Sequence, residues 1–228
     1  MIDRETPEMR SFWAAFVPPP PATGWRERMR GALGAAIGIV LIGVVSAWWM
    51  GAASSGLPFL IAPLGASAVL LFAVPASPLA QPWPIVGGNV IAALIGVTAA
   101  RWVAEPVVAA ALALGISIAA MSALRCVHPP SGAVALTAVL GGSHITAAGY
   151  GFALEPVLLN SVLLTIVAIL FNTATGPSYP HRAHATARPA PDALTPDDFD
   201  AVLADYGETL DIDAADLRAL YEDLRRRA

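Results

Sequence analysis

Apolar residues fall in blocks separated by short clusters of glycine, proline and charge, and inside the blocks there is no polar stripe of helical or strand period. Residues 33–50, 85–103, 107–124 and 157–171 form four such blocks. At about 1.5 Å per helical residue, each approaches the thickness of a hydrocarbon core of about 30 Å. Two further blocks, 57–74 and 131–140, are interrupted or preceded by proline: Pro58 and Pro63 in one, Pro129 and Pro130 before the other. Proline removes a backbone donor and drives the preceding residue out of helical geometry, so both blocks read as spans broken partway. The pattern predicts an all-α, polytopic membrane bundle of about six elements in which the second and fifth are broken.

The ends of the chain differ from this middle. Phe12-Trp13-Ala14-Ala15-Phe16-Val17 is short, aromatic and closed by Pro18 to Pro21, which predicts an interfacial helix and not a cleaved leader. Arg26, Arg28 and Arg30 then stand before the first span, and His181, Arg182, His184 and Arg188 follow the last. By the positive-inside rule both flanks are cytoplasmic. Beyond them, Thr195-Pro196-Asp197-Asp198 is a capped helix start, predicting a helix over 196–206, and Leu217, Leu220, Tyr221 and Leu224 space a second one after Asp213. The domain reading is a cytoplasmic N-terminal segment (1–30), a transmembrane domain (31–175), a basic linker (176–189) and an acidic cytoplasmic helical hairpin (190–228).

Composition sharpens the class. Hydrophobic residues make up 56% and charged ones 13% of the 228, with a mean hydropathy of +0.63, which excludes a soluble domain and leaves the lipid bilayer as solvent. The net charge of −4 belongs mostly to the C-terminal hairpin and gives no footprint for nucleic acid. A single cysteine, Cys126, allows no disulfide framework and no cysteine cluster, so neither metal nor cofactor is expected. All basic side chains are arginine and alanine is abundant, which points to a bacterial source and hence an inner membrane.

An internal repeat gives the six elements an order. Pro63-Leu64-Gly65-Ala66-Ser67-Ala68-Val69 aligns with Pro130-Ser131-Gly132-Ala133-Val134-Ala135-Leu136 in proline, glycine and two alanines, and Asn89 and Asn160 occupy comparable places on the third elements of two sets of three. Three spans per set bring the second set in from the opposite side, so the repeat is inverted, as in many transporters.

The chemistry concentrates in Arg125-Cys126-Val127-His128-Pro129-Pro130-Ser131-Gly132-Ala133. Pro63, Pro129 and Pro130 are structural, ending one helix and opening the next. The new helix starts, at Leu64 to Ala66 and Ser131 to Ala133, are expected to direct free amides at an anion between them, and Arg125 raises the anion concentration nearby. Candidate substrate-binding residues are Arg125, His128, Ser131, Gly132, Ala133, Gly65, Ala66, Ser67, Asn89 and Asn160. Each has a structural alternative. Arg125 as a topology marker, His128 as a packed ring or cap, Gly65 and Gly132 as close-packing positions, Ser67 and Ser131 bonded back to their own helices, and the two asparagines as interhelical bonds all stay open.

The motif resembles the signature of the HPP family of integral membrane proteins, named for His-Pro-Pro. The resemblance extends to Pro63-Leu64-Gly65-Ala66-Ser67-Ala68-Val69-Leu70-Leu71-Phe72, Ser77-Pro78-Leu79-Ala80-Gln81-Pro82 and Gly87-Gly88-Asn89, and so covers roughly residues 30–172. It implies nitrite transport, as proposed for chloroplast and cyanobacterial members. Some members continue into paired CBS domains after an acidic helical linker like 192–227; the 228 residues contain none, which leaves open an absent nucleotide regulation or a truncated sequence. The expectation is therefore membrane transport of a small inorganic anion, nitrite first, by a protein that is not an enzyme, with homo-oligomerisation open and channel versus coupled carrier undecided. The alternative is a membrane-embedded sensory or interaction module presenting the hairpin to a partner; prolines at membrane depth disfavour it, because freed backbone groups there are costly unless they line a cavity.

Overall fold

The computed structural model describes residues 24–51, 60–176, 178–181 and 214–227, and these are helical with no strand among them. The interfacial segment at 12–17, the helix at 196–206 and most of the basic linker lie outside the described residues. Among the described residues, four helices are long and apolar enough to cross a membrane: α1 (Trp25–Met50), α3 (Pro82–Trp102), α4 (Pro106–Ala123) and the stretch Ala153–Thr175, which contains α7 (Leu159–Thr175). Between them stand two short helices of 11 residues each, α2 (Pro63–Ala73) and α5 (Pro130–Leu140), and a surface turn, α6 (Ser143–Ala148). A further amphipathic helix, α8 (Ala214–Arg227), stands where the sequence predicts one after Asp213.

The two short helices begin on the predicted prolines. Each has proline at its first position, where the missing N–H would be unpaired in any case, and each is about 16 Å long, half a hydrocarbon core. α1, α3 and α4 begin earlier than hydropathy suggests. α1 takes in the arginines before residue 33 because Glu27 accepts from Arg30 within the helix, at 2.9 Å from Nε to Oε1 and 2.8 Å to Oε2. α7 is preceded by a widened turn, Ala153–Leu158, in which Glu155 leaves helical geometry before Pro156.

Contacts fix the direction of each element. α1 and α7 run antiparallel, joined by Arg30 to Asn172 at one end and by Trp49 to Glu155 at the other. α3 and α4 are antiparallel as well, with the Trp83 indole N–H donating to the Leu124 carbonyl at 3.1 Å. The C-terminus of α2 lies beside the start of α1, where a Cβ on Gly31 would come within 2.6 Å of the Phe72 carbonyl oxygen. α5 instead climbs alongside α3 in the same direction, from Asn89 opposite Ser131 to Gly96, where a Cβ would meet the Ala135 carbonyl at 2.6 Å. The two short helices therefore head for opposite ends of the bundle.

The outer surface is that of a protein dissolved in lipid. Val40, Leu41, Val44, Val107, Ile116, Ile118 and Leu170 are exposed, while the interior is filled by small and branched residues such as Ala92, Ala93, Val134, Ala135 and Leu164. Exposed tryptophans collect at the two ends, Trp25 and Trp83 at one and Trp48, Trp49 and Trp102 at the other. Along α3 the two belts are about 28 Å apart, the spacing of two membrane interfaces.

Candidate functional site

The broken elements meet where their helices begin. His128, the third residue before Ser131, is fully buried between α2 and α3. Its Nδ1 lies 2.8 Å from the carbonyl oxygen of Leu79, in the Pro78–Ala80 turn, and its Nε2 lies 2.8 Å from Ser67 Oγ on α2. A carbonyl can only accept, so Nδ1 carries the proton, and in the neutral ring Nε2 accepts from the serine hydroxyl. Both ring nitrogens are occupied by protein partners.

Ser131, the second residue of α5, donates to Asn89 Oδ1 at 2.8 Å, and Asn89 Nδ2 donates to Ser161 Oγ at 3.0 Å. Asn160 Nδ2 donates to Ser46 Oγ at 3.1 Å. Every one of these side chains is fully buried. A buried polar layer thus ties α1, α2, α3, α5 and α7 together. The bonds of Ser67 and Ser131 reach other elements, so the alternative in which they bond back to their own helices is corrected.

The expectation of free amides is corrected too. The Leu64 and Gly65 amides donate to the Ile61 and Ala62 carbonyls at 3.1 and 3.0 Å, and those of Ser131 and Gly132 donate to His128 and Pro129 at 2.9 and 3.1 Å. Each helix start is tightened by a turn of i,i+3 bonds, the usual remedy when no side chain caps it. What remains at these starts is the positive end of each helix dipole. Beside it stand the exposed Gly65, Ala66 and Ala133 and the half-buried Gly132.

Arg125 sits elsewhere than its partners in the motif. It is the left-handed residue that closes α4, with φ 54°, and the reversal is complete: Cys126 N–H reaches the Met121 carbonyl at 2.8 Å and Arg125 N–H the Ser122 carbonyl at 3.3 Å. Glycine normally fills this position. The guanidinium is exposed and makes no hydrogen bond or ion pair among the described residues. Pro63 and Pro130 are buried and Pro129 is exposed. Gly88 lets α3 pass the motif closely, since a Cβ there would stand 2.8 Å from the Cys126 carbonyl oxygen and 2.9 Å from Ser131 Oγ.

Sequence reasoning missed Ser46, Ser117 and Ser161. All three are fully buried serines inside apolar helices, and that combination was the available signal. Among the described residues, Ser117 Oγ and Asn160 Oδ1 have no hydrogen-bond partner.

The HPP transmembrane-region family matches residues 20–180, most of the chain and the whole of the buried layer. The chain belongs to the HPP family. Two transmembrane proteins of Dictyostelium discoideum are similar to it, one 37% identical over 126 residues (53% of this chain, 44% of the relative) and the other 36% identical over 118 residues (50% and 38%). The chain thus spans less than half the length of these curated relatives. No solved structure matches it. With the family and the apolar helices together, this HPP chain is a multi-pass membrane protein.

Proposed function

We propose that this HPP protein carries a small monovalent oxyanion, nitrite first, across a bacterial inner membrane through the crossover of α2 and α5. The observation that carries the reading is the meeting of two proline-started half-helices, pointed to opposite ends of the bundle and joined through Ser67 and His128. Two positive dipole ends facing one depth favour an anion that has shed part of its water. The order long, short, long, repeated once, supports an inverted repeat of three elements each. Ser67, Ser131, Asn89, Asn160 and His128 shape the site, Gly65, Ala66, Gly132 and Ala133 leave it room, and Arg125 concentrates anions at its mouth. The cytoplasmic face is the one bearing Arg26, Arg28 and Arg30, with both termini on that side.

Counterflow in liposomes tests this. The protein should exchange nitrite in preference to chloride, with nitrate and formate as the nearest competitors, and Arg125→Gln should lower the flux in protein of unchanged fold. Equal exchange of all four anions, or none, would overturn it.

A further inference from the structure

Four fully buried polar residues form two pairs with one spacing. Ser117 lies 71 positions after Ser46, and Asn160 lies 71 after Asn89. One serine of each kind sits on the first element of its set of three and one asparagine on the third. The pair Asn160 and Ser46 is bonded, across the antiparallel helices α7 and α1, at 3.1 Å. Its counterpart would be Asn89 and Ser117, across the antiparallel helices α3 and α4. The register set by Trp83 on Leu124 puts Asn89 opposite Ile118, one residue from Ser117. Yet Asn89 turns to Ser131 and Ser161, and Ser117 Oγ is left without a partner.

This vacancy is unusual for the protein. The hydroxyls of Thr98, Ser122, Thr137, Thr165 and Thr175 all bond back to the carbonyl four residues earlier, between 2.7 and 2.8 Å, the ordinary solution in an apolar helix. Ser117 does not. A hydroxyl buried without a partner is costly enough that a residue with no second state would be expected to be alanine. Asn160 Oδ1, on the bonded pair, is also unpartnered, so neither pair is saturated.

We propose that Ser46 with Asn160, and Ser117 with Asn89, are two equivalent interhelical latches, the first closed and the second open in this structure, which exchange as the crossover changes the side to which it opens. Closing the second moves the Asn89 amide from Ser161 to Ser117 and ties α3 to α4. Opening the first frees α1 from α7. The inference rests on the inverted-repeat reading above and says how access to the same site alternates.

Cysteine pairs in the full-length chain test it. Asn89→Cys with Ser117→Cys, and Ser46→Cys with Asn160→Cys, are oxidised in detergent and the linked peptides quantified by mass mapping, with single-cysteine controls for Cys126. Adding Ser46→Ala should raise the yield of the 89–117 link roughly two- to ten-fold, the shift that loss of one buried hydrogen bond gives. Adding Ser117→Ala should raise the 46–160 link by a similar factor. Should the first variant not fold, the second decides alone. Yields that do not respond overturn the latch and leave Ser117 a packed residue. No transported anion is needed, so the result stands apart from the counterflow assay: latches that fail while nitrite exchanges would leave the proposed function intact.

Discussion

Ser67 of α2 donates to Nε2 of His128 at 2.8 Å, and this bond links the two broken elements, one turn inside α2 and just before the start of α5. Because Nδ1 is held by the Leu79 carbonyl, the imidazole has one orientation and one tautomer. Ser67→Ala removes a partner from a fully buried nitrogen without changing the packing volume much. We expect a loss of about 1–3 kcal/mol, read as a lower unfolding temperature in detergent. A variant as stable as the parent would mean that His128 is held by α3 and the Pro78–Ala80 turn alone.

Arg125 offers a separation of backbone from charge. Its φ of 54° costs an L-residue about 1 kcal/mol that glycine does not incur. Arg125→Gly should therefore raise stability, Arg125→Gln should leave it nearly unchanged, and both should lower nitrite exchange. Melting curves and counterflow on the same preparations check the pair. Full exchange by the stabilised glycine variant would assign Arg125 to topology only.

Two helical glycines, one in the first turn of α2 and one inside α3, should behave oppositely. Gly88→Ala drives a Cβ into the Cys126 carbonyl and Ser131 Oγ, where the backbone cannot yield, and should cost about 1–3 kcal/mol. A Cβ on Gly65 meets nothing within 4 Å, so Gly65→Ala should be neutral or stabilising by up to about 1 kcal/mol. Thermal unfolding of both variants distinguishes close approach from mere helix propensity.

At the Arg30 end, Asn172 holds three elements at once. Its Oδ1 accepts from Arg30 Nη1 at 2.8 Å and its Nδ2 donates to the Leu71 carbonyl, near the end of α2, at 3.0 Å. Asn172→Ala breaks both bonds and leaves a buried carbonyl unpaired, for an expected loss of about 1–3 kcal/mol. Limited proteolysis at the α2–α3 connection should quicken in step. Unchanged cleavage would show that the Phe72 and Phe171 rings, packed edge to face at 5.6 Å, are sufficient there.

Topology can be read independently of transport. Reporters fused before residue 24 and after residue 181 should lie on the same side, because α1 begins and α7 ends at the Arg30 face. Opposite sides would refute the arrangement of the two half-helices as membrane elements.

The helix breaks were legible because proline acts locally: it removes a donor and restricts its neighbour whatever the tertiary surroundings, so Pro63 and Pro130 mark the starts of α2 and α5 in sequence as in structure. The all-helical class and the span order follow equally from hydropathy, since a bilayer leaves an apolar block few other choices. Boundaries drifted where charge extends a helix past its apolar block, as Arg30 and Glu27 do in α1. The polar layer was another matter. Apolar all round, these helices carry no period from which a face could be read, so which serine meets which asparagine depends on helix rotation and on contacts 42 to 114 residues apart. Only the packed structure decides that Ser131 turns to Asn89, that Ser46 holds Asn160 and that Ser117 has no partner among the described residues, because hydrogen bonds between helices are set by where whole elements lie.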